Sequence, residues 1–310
     1  MSTSGGNLVI VNPHAGGGAA RTVFRRIEHA IEEIVGETDL VFTERPGHGV
    51  ELARAGAAAG RQRILVVGGD GTVNEVVNGI MEGAPKGERP LLVVLSGGTG
   101  GDLRRTLGLE SVRATLGLLR EGKTRTVDVG RVQACDAETD EPMTRYFINV
   151  ASFGLGGLVD RHVRAFSALG GRAAYGLATA LSLWGWTNPL VRLAIEGEHP
   201  LEVEMRVVTV SVANGRFFGG GMCIAPDAEM DDGILDVTIL GDMRRRELIR
   251  AASTLYGDEG LTHPSCMGRK GTRVRAESDV QVLLDIDGEP VGCLPAVFEV
   301  EPGALEVVAS

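Results

Sequence analysis

The chain has 310 residues, of which 43% are hydrophobic, so it is long enough to form two domains with buried cores. Its formal net charge of −10 argues against a nucleic-acid-binding protein, because no excess of cations is present to displace the counterions of a phosphate backbone. The 4 cysteines are scattered without a C-x-x-C pair and residues 1–6 show no signal peptide, which favours a cytoplasmic protein with reduced thiols.

Strand and helix patterns alternate through the first part of the chain. We predict strands at residues 8–11, 39–43, 64–67 and 91–95, and helices at residues 21–35, 50–59, 72–81 and 111–120, with a further helix beginning near residue 102. This alternation is typical of a parallel sheet covered by helices, and the ligands of such sheets bind beyond the carboxyl ends of the strands. The first part of the chain is therefore predicted to be an α/β domain.

The stretch at residues 64–81 is the most informative in the chain. Four β-favouring residues run into the turn Gly-Gly-Asp-Gly-Thr at residues 68–72, after which apolar residues recur at helical spacing. Thr72 and Glu75 have the spacing of a capping box, which predicts that the helix begins here. A glycine turn at a helix N-terminus suits a phosphate group, and Asp70 within it suits a metal ion or a reacting hydroxyl. A plain structural turn is the alternative.

Two further glycine loops follow strands in the same half, at residues 12–18 and 96–102. Because the carboxyl ends of parallel strands meet at one edge of a sheet, we expect all three loops to lie together. His14 is expected to be a solvated loop residue rather than a base. Thr43, at the end of the second strand, is either a nucleotide contact or a turn hydroxyl.

Residues 117–124 match the P-loop pattern G-x-x-x-x-G-K-T. A P-loop follows a strand and opens a helix, whereas this run ends a helix pattern and precedes a strand pattern. We therefore interpret Gly122 as a helix stop.

The pattern becomes β-rich after residue 125. Strands are predicted at residues 127–132, 145–151, 190–196, 201–213, 234–240, 272–276, 280–287 and 297–300. Many short strands with hairpin signals indicate an antiparallel sandwich or barrel. We place the domains at residues 1–125 and 126–310, with residues 301–310 returning to the first domain.

Two acidic segments of the second half leave alternatives open. Residues 227–232 hold four carboxylates, which form either a solvated turn or a hard-cation site around Asp232 and neighbouring carbonyls. Asp287-Gly288 before Glu289 is a hairpin signal, but its carboxylates also suit a general base for a hydroxyl substrate.

The uncharged segment at residues 173–191 has the length of a membrane span, but its polar residues, glycines and proline make insertion unfavourable. We expect an amphipathic or buried helix to about Trp184 and then a loop. Basic and aromatic residues of this region suit either a lipid headgroup layer or a solvated helix over core tryptophans. They are Arg161, Arg164, Arg172, Tyr175, Trp184 and Trp186.

The ordered motifs resemble the diacylglycerol kinase catalytic-domain family, which includes bacterial lipid kinases, sphingosine kinases and ceramide kinases and is distantly similar to NAD kinases and phosphofructokinases. The resemblance covers nearly the whole chain. It rests on Asn12-Pro13 with Gly16–Gly18, the run Gly68–Gly79, Gly98-Thr99-Gly100 with Asp102, Phe147–Gly154, Asn214-Gly215, Gly219–Gly221, Asp232-Gly233 and Asp287-Gly288-Glu289.

This resemblance implies a parallel-sheet nucleotide-binding domain followed by an antiparallel β-sandwich domain, with ATP and Mg²⁺ as cofactors and a lipid alcohol, diacylglycerol or sphingoid in type, as acceptor. Transient contact with a membrane surface follows from such an acceptor, and a homodimer is compatible with the sequence. Nucleotide contacts map to Asn12, Pro13, His14, Ala15, Gly16, Thr43, Gly68, Gly69, Asp70, Gly71, Thr72, Val73, Asn74, Glu75 and Thr99. A structural magnesium maps to the carbonyls of Glu229 and Ile234 and the side chain of Asp232.

The resemblance leaves the catalytic base open among Asp70, Asp287 and Glu289. Our hypothesis is that Asp70 acts near the metal and the phosphates, while the turn at residues 287–289 closes over the acceptor. The family pattern Pro-x-Gly-Thr-x-Asn-Asp is changed here, since Ser96 replaces the proline and Gly101 the asparagine. These changes keep open the alternative of a nucleotide-binding regulator with little kinase activity. The similarity to NAD kinases leaves a kinase for a soluble acceptor as a further alternative.

Overall fold

This computed structural model describes residues 6–95, 101–165, 181–182, 186–252, 260 and 263–310. Its helices are α1 (Ala19–Val35), α2 (His48–Ala58), α3 (Asp70–Gly83), α4 (Asp102–Thr106), α5 (Val112–Glu121), α6 (Leu155–Ala165) and α7 (Arg245–Ala252). Its strands are β1 (Asn7–Val11), β2 (Thr38–Phe42), β3 (Arg63–Val67), β4 (Leu91–Val94), β5 (Thr124–Cys135), β6 (Pro142–Phe147), β7 (Val150–Gly154), β8 (Leu190–Glu196), β9 (Leu201–Ala213), β10 (Phe217–Phe218), β11 (Met222–Cys223), β12 (Leu235–Gly241), β13 (Cys266–Gly271), β14 (Arg273–Glu277), β15 (Leu284–Ile286) and β16 (Cys293–Val308).

The chain forms two compact units. The first comprises Met1–Val129, Gly219–Gly221 and Glu301–Ser310, and the second comprises Gly130–Phe218 and Met222–Val300. Strand β5 begins in the first unit and ends in the second, whereas β16 runs from the second into the first.

The first unit contains a parallel sheet in the order β2-β1-β3-β4, and the end of β16 adds a further parallel neighbour to β4 through Val307 opposite Leu92. Strands β1, β3 and β4 are largely buried, as expected for a parallel sheet covered by helices, whereas the edge strand β2 is partly exposed. Helix α3 approaches α2 closely, since a Cβ atom at Gly79 would lie 2.3 Å from the carbonyl oxygen of Val50. The predicted α/β architecture of this half is confirmed.

The P-loop-like run lies at the end of α5, as the sequence indicated. Gly122 has a φ of 69° and closes the helix, with its N–H donating to the carbonyl of Leu119. Strand β5 then begins at Thr124. The run therefore ends a helix and does not open one.

The second unit is an antiparallel β-sandwich. The first half of β9 pairs with β8, and its second half pairs with β7 and β12, so this strand contributes to two sheets. Buried side chains of both sheets form the core, in which the rings of Phe153 and Phe298 stack with centroids 6.0 Å apart. The predicted sandwich is confirmed.

The strand predictions differ from the structure at several places, and the short strands β10 and β11 are among those not predicted. The run at 280–287 is a strand only over Leu284–Ile286, the run at 145–151 is interrupted between β6 and β7, and β16 is far longer than predicted. The sequence pattern does not predict strand β13, Cys-Met-Gly-Arg-Lys-Gly, because glycine and lysine are uncommon in strands. Backbone pairing with β12 stabilises this strand.

Among the described residues, no helix has both the length and the apolar character needed to cross a membrane. Most of the predicted helix at residues 173–184 lies outside the described residues.

Candidate functional site

The loop after β1 is joined to the turn after β3 by Asn12. The backbone N–H of Asn12 donates to the carbonyl of Val67 at 2.9 Å, and its side-chain amide donates to Thr72 Oγ1 at 2.9 Å. Its side-chain oxygen accepts the N–H of His14 at 3.0 Å, which shapes the loop itself. Asn12 therefore fixes the first glycine loop against the start of α3.

Helix α3 begins two residues earlier than the sequence suggested, and the predicted capping box is wrong. Its N-cap is Gly69, which has no side chain to cap the helix, and Thr72 lies inside the first turn. Glu75 instead accepts the N–H groups of Gly47 at 2.8 Å and Gly49 at 2.9 Å, at the start of α2. The prediction of a capping box from spacing is wrong because the side chains of Thr72 and Glu75 both have hydrogen-bond partners on other elements.

Asp70 joins the central turn to the third glycine loop. Its Oδ2 atom accepts the backbone N–H groups of Gly101 at 2.9 Å and Asp102 at 3.2 Å. Together with the Asn12 contact, this confirms that the described parts of the three loops lie at one edge of the sheet. A carboxylate held by two amides has a fixed orientation, which a catalytic carboxylate requires.

Asp102 belongs to the same cluster, although sequence reasoning did not select it as a site residue. Its Oδ2 atom accepts the N–H of Gly220 at 2.8 Å, and its Oδ1 atom is buried without a hydrogen-bond partner in the described part of the chain. Burial raises the pKa of this carboxyl, and the charge of Asp70 raises it further, against the hydrogen bond from Gly220. The signal available in the sequence was its place directly after the third glycine loop.

The glycines of these loops leave room for an anion. A Cβ atom at Gly69 would meet nothing within 4 Å, and the same is true at Gly17. Gly16, Gly17 and Gly18 all have positive φ values, which other residues rarely adopt. Open backbone at the N-terminus of the 14-residue helix α3 fits the phosphate groups of a nucleotide.

The other predicted nucleotide contacts have different surroundings. The side chain of Val73 is in the hydrophobic core, and Asn74 is buried with its side-chain oxygen accepting from Asn78 at 3.2 Å. Thr43 is buried and its N–H donates to the carbonyl of Val11, whereas His14 is exposed. Thr99 lies outside the described residues. The structure thus brings Asn12, Asp70, Gly69 and Thr72 together and turns Val73, Asn74 and Glu75 toward the protein interior or α2.

In the second unit, Asp287 holds the turn between β6 and β7. Its carboxylate accepts three backbone N–H groups, from Ile148 at 2.9 Å, Asn149 at 3.0 Å and Val150 at 2.9 Å. Asp287 has a φ of 51° and Gly288 a φ of 85°, as in a two-residue type I′ hairpin. The hairpin interpretation of this segment is confirmed, and Asp287 has a positioning role in it.

Glu289 follows that hairpin and is half-buried. Its N–H donates to the carbonyl of Ile286 at 3.0 Å, and its carbonyl accepts from Ile286 at 2.9 Å. The backbone of Glu289 is therefore fixed by the same turn that Asp287 anchors.

The residues suggested for a structural magnesium do not fit a divalent ion as they stand. Asp232 Oδ1 accepts the N–H of Ile234 at 3.0 Å, and Asp232 Oδ2 lies 4.0 Å from the ammonium nitrogen of Lys270. Glu229 is exposed. Among the residues that the structure describes, no group of three or more acidic, histidine or cysteine side chains is placed to hold a metal.

Comparison with known proteins decides the family. Residues 7–132 match the diacylglycerol kinase catalytic domain, and residues 149–309 match the YegS C-terminal NAD kinase beta sandwich-like domain. A probable YegS-like lipid kinase of Chromohalobacter salexigens is 34% identical over 276 residues, which is 85% of this chain and 81% of that protein. The chain belongs to the family of diacylglycerol kinases and YegS-like lipid kinases. It is therefore a kinase, and family membership implies that it uses a nucleotide.

Other relatives of this kinase family match along most of their length. A diacylglycerol kinase of Bacillus subtilis is 29% identical, covering 94% of this chain and 91% of its own length. The crystal structure of a Bacillus anthracis diacylglycerol kinase covers 100% of this chain and 98% of its own, with a TM-score of 0.72 and 22% identity. Yeast NADH kinase complexed with NADH covers 99% of this chain and 84% of its own, with a TM-score of 0.51 and 12% identity. These two structures show the fold alone.

Gly101 stands where the family pattern has asparagine. Gly101 has a φ of 70°, a left-handed conformation that glycine adopts freely and asparagine tolerates better than most residues. Its N–H is also one of the two donors to Asp70. Relative to the family pattern, this position lacks a side-chain amide, and its backbone N–H donates to Asp70.

Proposed function

We propose that this kinase transfers the γ-phosphoryl group of ATP to the hydroxyl of a lipid alcohol of the diacylglycerol or sphingoid type. The observation that carries this proposal is the Asp70 carboxylate, held by the N–H groups of Gly101 and Asp102 at the point where three glycine loops meet. The relatives named diacylglycerol kinase and YegS-like lipid kinase support the choice of acceptor class.

In this proposal, the phosphates bind the open backbone of the first two loops. Gly69 and Gly17 have no neighbouring atom where a side chain would be, so a phosphate oxygen can approach their N–H groups. Phosphoryl transfer depends on position and charge neutralisation more than on covalent chemistry, and fixed amides at a helix N-terminus supply both.

Two carboxylates of the first unit are the proposed ligands of the Mg²⁺ that accompanies ATP. When bound, Mg²⁺ neutralises phosphate charge and orients the phosphoryl group. Asp102 fits this role because its Oδ1 atom is buried without a hydrogen-bond donor in the described part of the chain, although the guanidinium of Arg105 lies 3.9 Å away. Asp70 fits it because its orientation is fixed by two amides that both donate to Oδ2.

We propose Glu289, rather than Asp287, as the general base that removes the proton of the acceptor hydroxyl. Both oxygens of Asp287 accept backbone N–H groups from residues 148–150, so protonation of Asp287 would break bonds that hold the turn. Glu289 sits on the hairpin that Asp287 anchors, which gives it a fixed backbone.

A lipid acceptor also implies transient contact with a membrane surface. Arg161, on α6, is exposed and suits an anionic headgroup. Trp186 does not add to this argument, since it packs against a buried cluster and its indole N–H donates to Asn188 at 2.8 Å. The side chains of Arg164, Arg172, Tyr175 and Trp184 lie outside the described residues.

The test is transfer of radiolabelled γ-phosphate from ATP, with Mg²⁺, to diacylglycerol, sphingosine and ceramide in mixed micelles, with NAD as a soluble acceptor. We expect label in at least one lipid and none in NAD. Label in NAD alone would instead indicate a kinase for a soluble acceptor. ATP binding without transfer to any acceptor would indicate a nucleotide-binding regulator.

A further inference from the structure

Lys270 lies within a group of acidic oxygens in the second unit. It is on β13, directly opposite Asp236 on β12 in the antiparallel register. Its ammonium nitrogen is 3.3 Å from Asp236 Oδ2, 4.0 Å from Asp232 Oδ2 and 3.3 Å from the carbonyl oxygen of Asp227. The oxygens of Asp236 and Asp227 are within hydrogen-bond distance of the ammonium, and Asp232 adds an ion-pair contact.

The acidic loop at residues 227–236 needs a cation to stabilise it. The like charges of Asp227, Asp232 and Asp236 repel one another within this loop, and the ammonium of Lys270 contacts the carboxylates of Asp232 and Asp236. The side chain of Asp236 is 13% exposed and that of Asp232 is 24% exposed, so water screens this repulsion only in part. Lys270 offsets part of the repulsion through direct contact.

A divalent ion and this ammonium compete for the same oxygens. Mg²⁺ requires about six oxygen ligands at roughly 2.0–2.1 Å in octahedral geometry. One oxygen of Asp232 already accepts the N–H of Ile234, and the other faces Lys270. A doubly charged ion bound there would also be repelled by the nearby ammonium.

We propose that the ammonium of Lys270 stabilises the acidic loop at residues 227–236 and replaces the structural magnesium ion that the family resemblance implies there. The chain contains only three lysines, at positions 86, 123 and 270. The lysine at position 270 is set opposite a partly buried aspartate by strand register, which is a favourable cross-strand pair. Lysine provides a compact point charge, as a small metal ion does, whereas arginine provides a planar fork. The second unit is therefore stable without a divalent ion.

The first test is thermal unfolding of the full chain without nucleotide, in MgCl₂ or EDTA at about 5 mM. Either concentration is at least about 10³-fold above the Kd of a site that binds Mg²⁺ with micromolar affinity. We expect the Tm to be the same within about 1 °C, because no structural ion is lost to the chelator. A Tm clearly higher with MgCl₂ than with EDTA in Asp102→Asn as well as in the wild type would overturn the proposal, because this variant lacks a proposed ligand of the ion that accompanies ATP.

The second test removes the ammonium. Lys270→Gln should lower the Tm in EDTA by about 3 °C or more, since it leaves partly buried carboxylates without their cation. The matched control is Lys123→Gln, because Lys123 pairs with Glu121 at 2.9 Å on the exposed surface. The control should shift the Tm by less than about 1 °C. Equal shifts for the two variants would contradict the proposal.

A double variant separates the specific pair from a general loss of charge. If Lys270 acts through Asp236, Asp236→Asn combined with Lys270→Gln should lower the Tm by clearly less than the sum of the two single changes. Additive shifts would show that Lys270 does not serve this carboxylate and would also overturn the proposal. All three measurements follow folding and are independent of kinase activity.

Discussion

The backbone N–H of Asp102 donates to the carboxylate of Asp70 at 3.2 Å, so two aspartates from different loops meet at one point. The charge of Asp70 and the burial of Asp102 both raise the pKa of the Asp102 carboxyl. This coupling gives the site a testable dependence on pH.

Stability should fall as the pH rises through the titration of Asp102. A carboxyl with a raised pKa in the folded state binds its proton more tightly there than in the unfolded chain. The unfavourable contribution is therefore absent below the ordinary pKa of 3.8 and complete above the raised folded pKa. Urea unfolding of the wild type and of Asp102→Asn, between about pH 3.5 and pH 7, measures it.

The difference between these two proteins isolates this group, because the other carboxyls titrate in both. We expect the free energy of unfolding of the wild type to fall relative to the variant as the pH rises from 3.8. A difference that is constant with pH would show that the pKa of Asp102 is not raised.

Glu75 should matter for stability and not for nucleotide affinity. Its carboxylate accepts the N–H groups of Gly47 and Gly49, at the start of α2. The two N–H groups donate to different oxygens of Glu75, so Glu75→Gln can keep only one acceptor and should lower the free energy of unfolding by about 1–2 kcal/mol. The KM for ATP should stay within about twofold of the wild type, since less than 0.5 kcal/mol of binding is altered.

The control for this variant is Glu82→Gln. Glu82 lies on the same helix and contacts Arg54 at 3.4 Å on the exposed surface. We expect this change to cost less than about 0.5 kcal/mol. A large rise in KM for ATP in Glu75→Gln, with unchanged stability, would assign Glu75 to the nucleotide site instead.

The two acidic residues of the hairpin in the second unit should separate into different roles. Asp287→Ala leaves the N–H groups of residues 148–150 without their acceptor and should lower the free energy of unfolding by about 3 kcal/mol. Glu289→Gln should instead lower the Tm less than Asp287→Ala does and reduce kcat by about 10²-fold or more, as expected for loss of a general base.

Thermal unfolding and steady-state kinetics on both variants measure these effects. If Asp287→Ala kept full stability while Glu289→Gln kept full turnover, the roles would be assigned to the wrong residues.

Gly101 should tolerate asparagine better than alanine. Because its φ is 70°, Gly101→Ala should lower the free energy of unfolding by about 1–2 kcal/mol, and Gly101→Asn by less. A Cβ atom there would lie 3.1 Å from Nε of Arg104, a flexible side chain that can move. Chemical unfolding of the two variants checks the order, and greater stability of the alanine variant would contradict the conformational argument.

Sequence patterns predicted the elements whose burial is periodic. Strands β8 and β9 have the predicted bounds because alternating apolar residues line one sandwich core. Strand β13 escaped prediction because pairing with β12, and not side-chain composition, stabilises it. The hydrophobic pattern of residues 266–271 therefore does not predict this strand.

The candidate site shows the same limit. The glycine turn and Asp70 were found from local sequence, since a strand, a turn and a helix follow one another there. Glu75, Asp102 and Lys270 contact Gly49, Gly220 and Asp236, which are 26 or more residues away along the chain. Local sequence spacing does not predict such contacts. For the same reason, the spacing of Thr72 and Glu75 predicted a helix cap that the structure does not contain.

The most direct measurement of the central claim compares the wild type with Asp70→Asn in Mg²⁺-dependent transfer of γ-phosphate from ATP to the best lipid acceptor. Asp279→Asn, which alters an exposed aspartate paired with Arg192, is the control. We predict that Asp70→Asn lowers kcat by about 10²-fold or more, because a fixed carboxylate beside the reacting groups is lost. Its Tm should stay close to that of the wild type, since asparagine can still accept the two N–H groups. Full turnover by Asp70→Asn, with the control also active, would contradict the account.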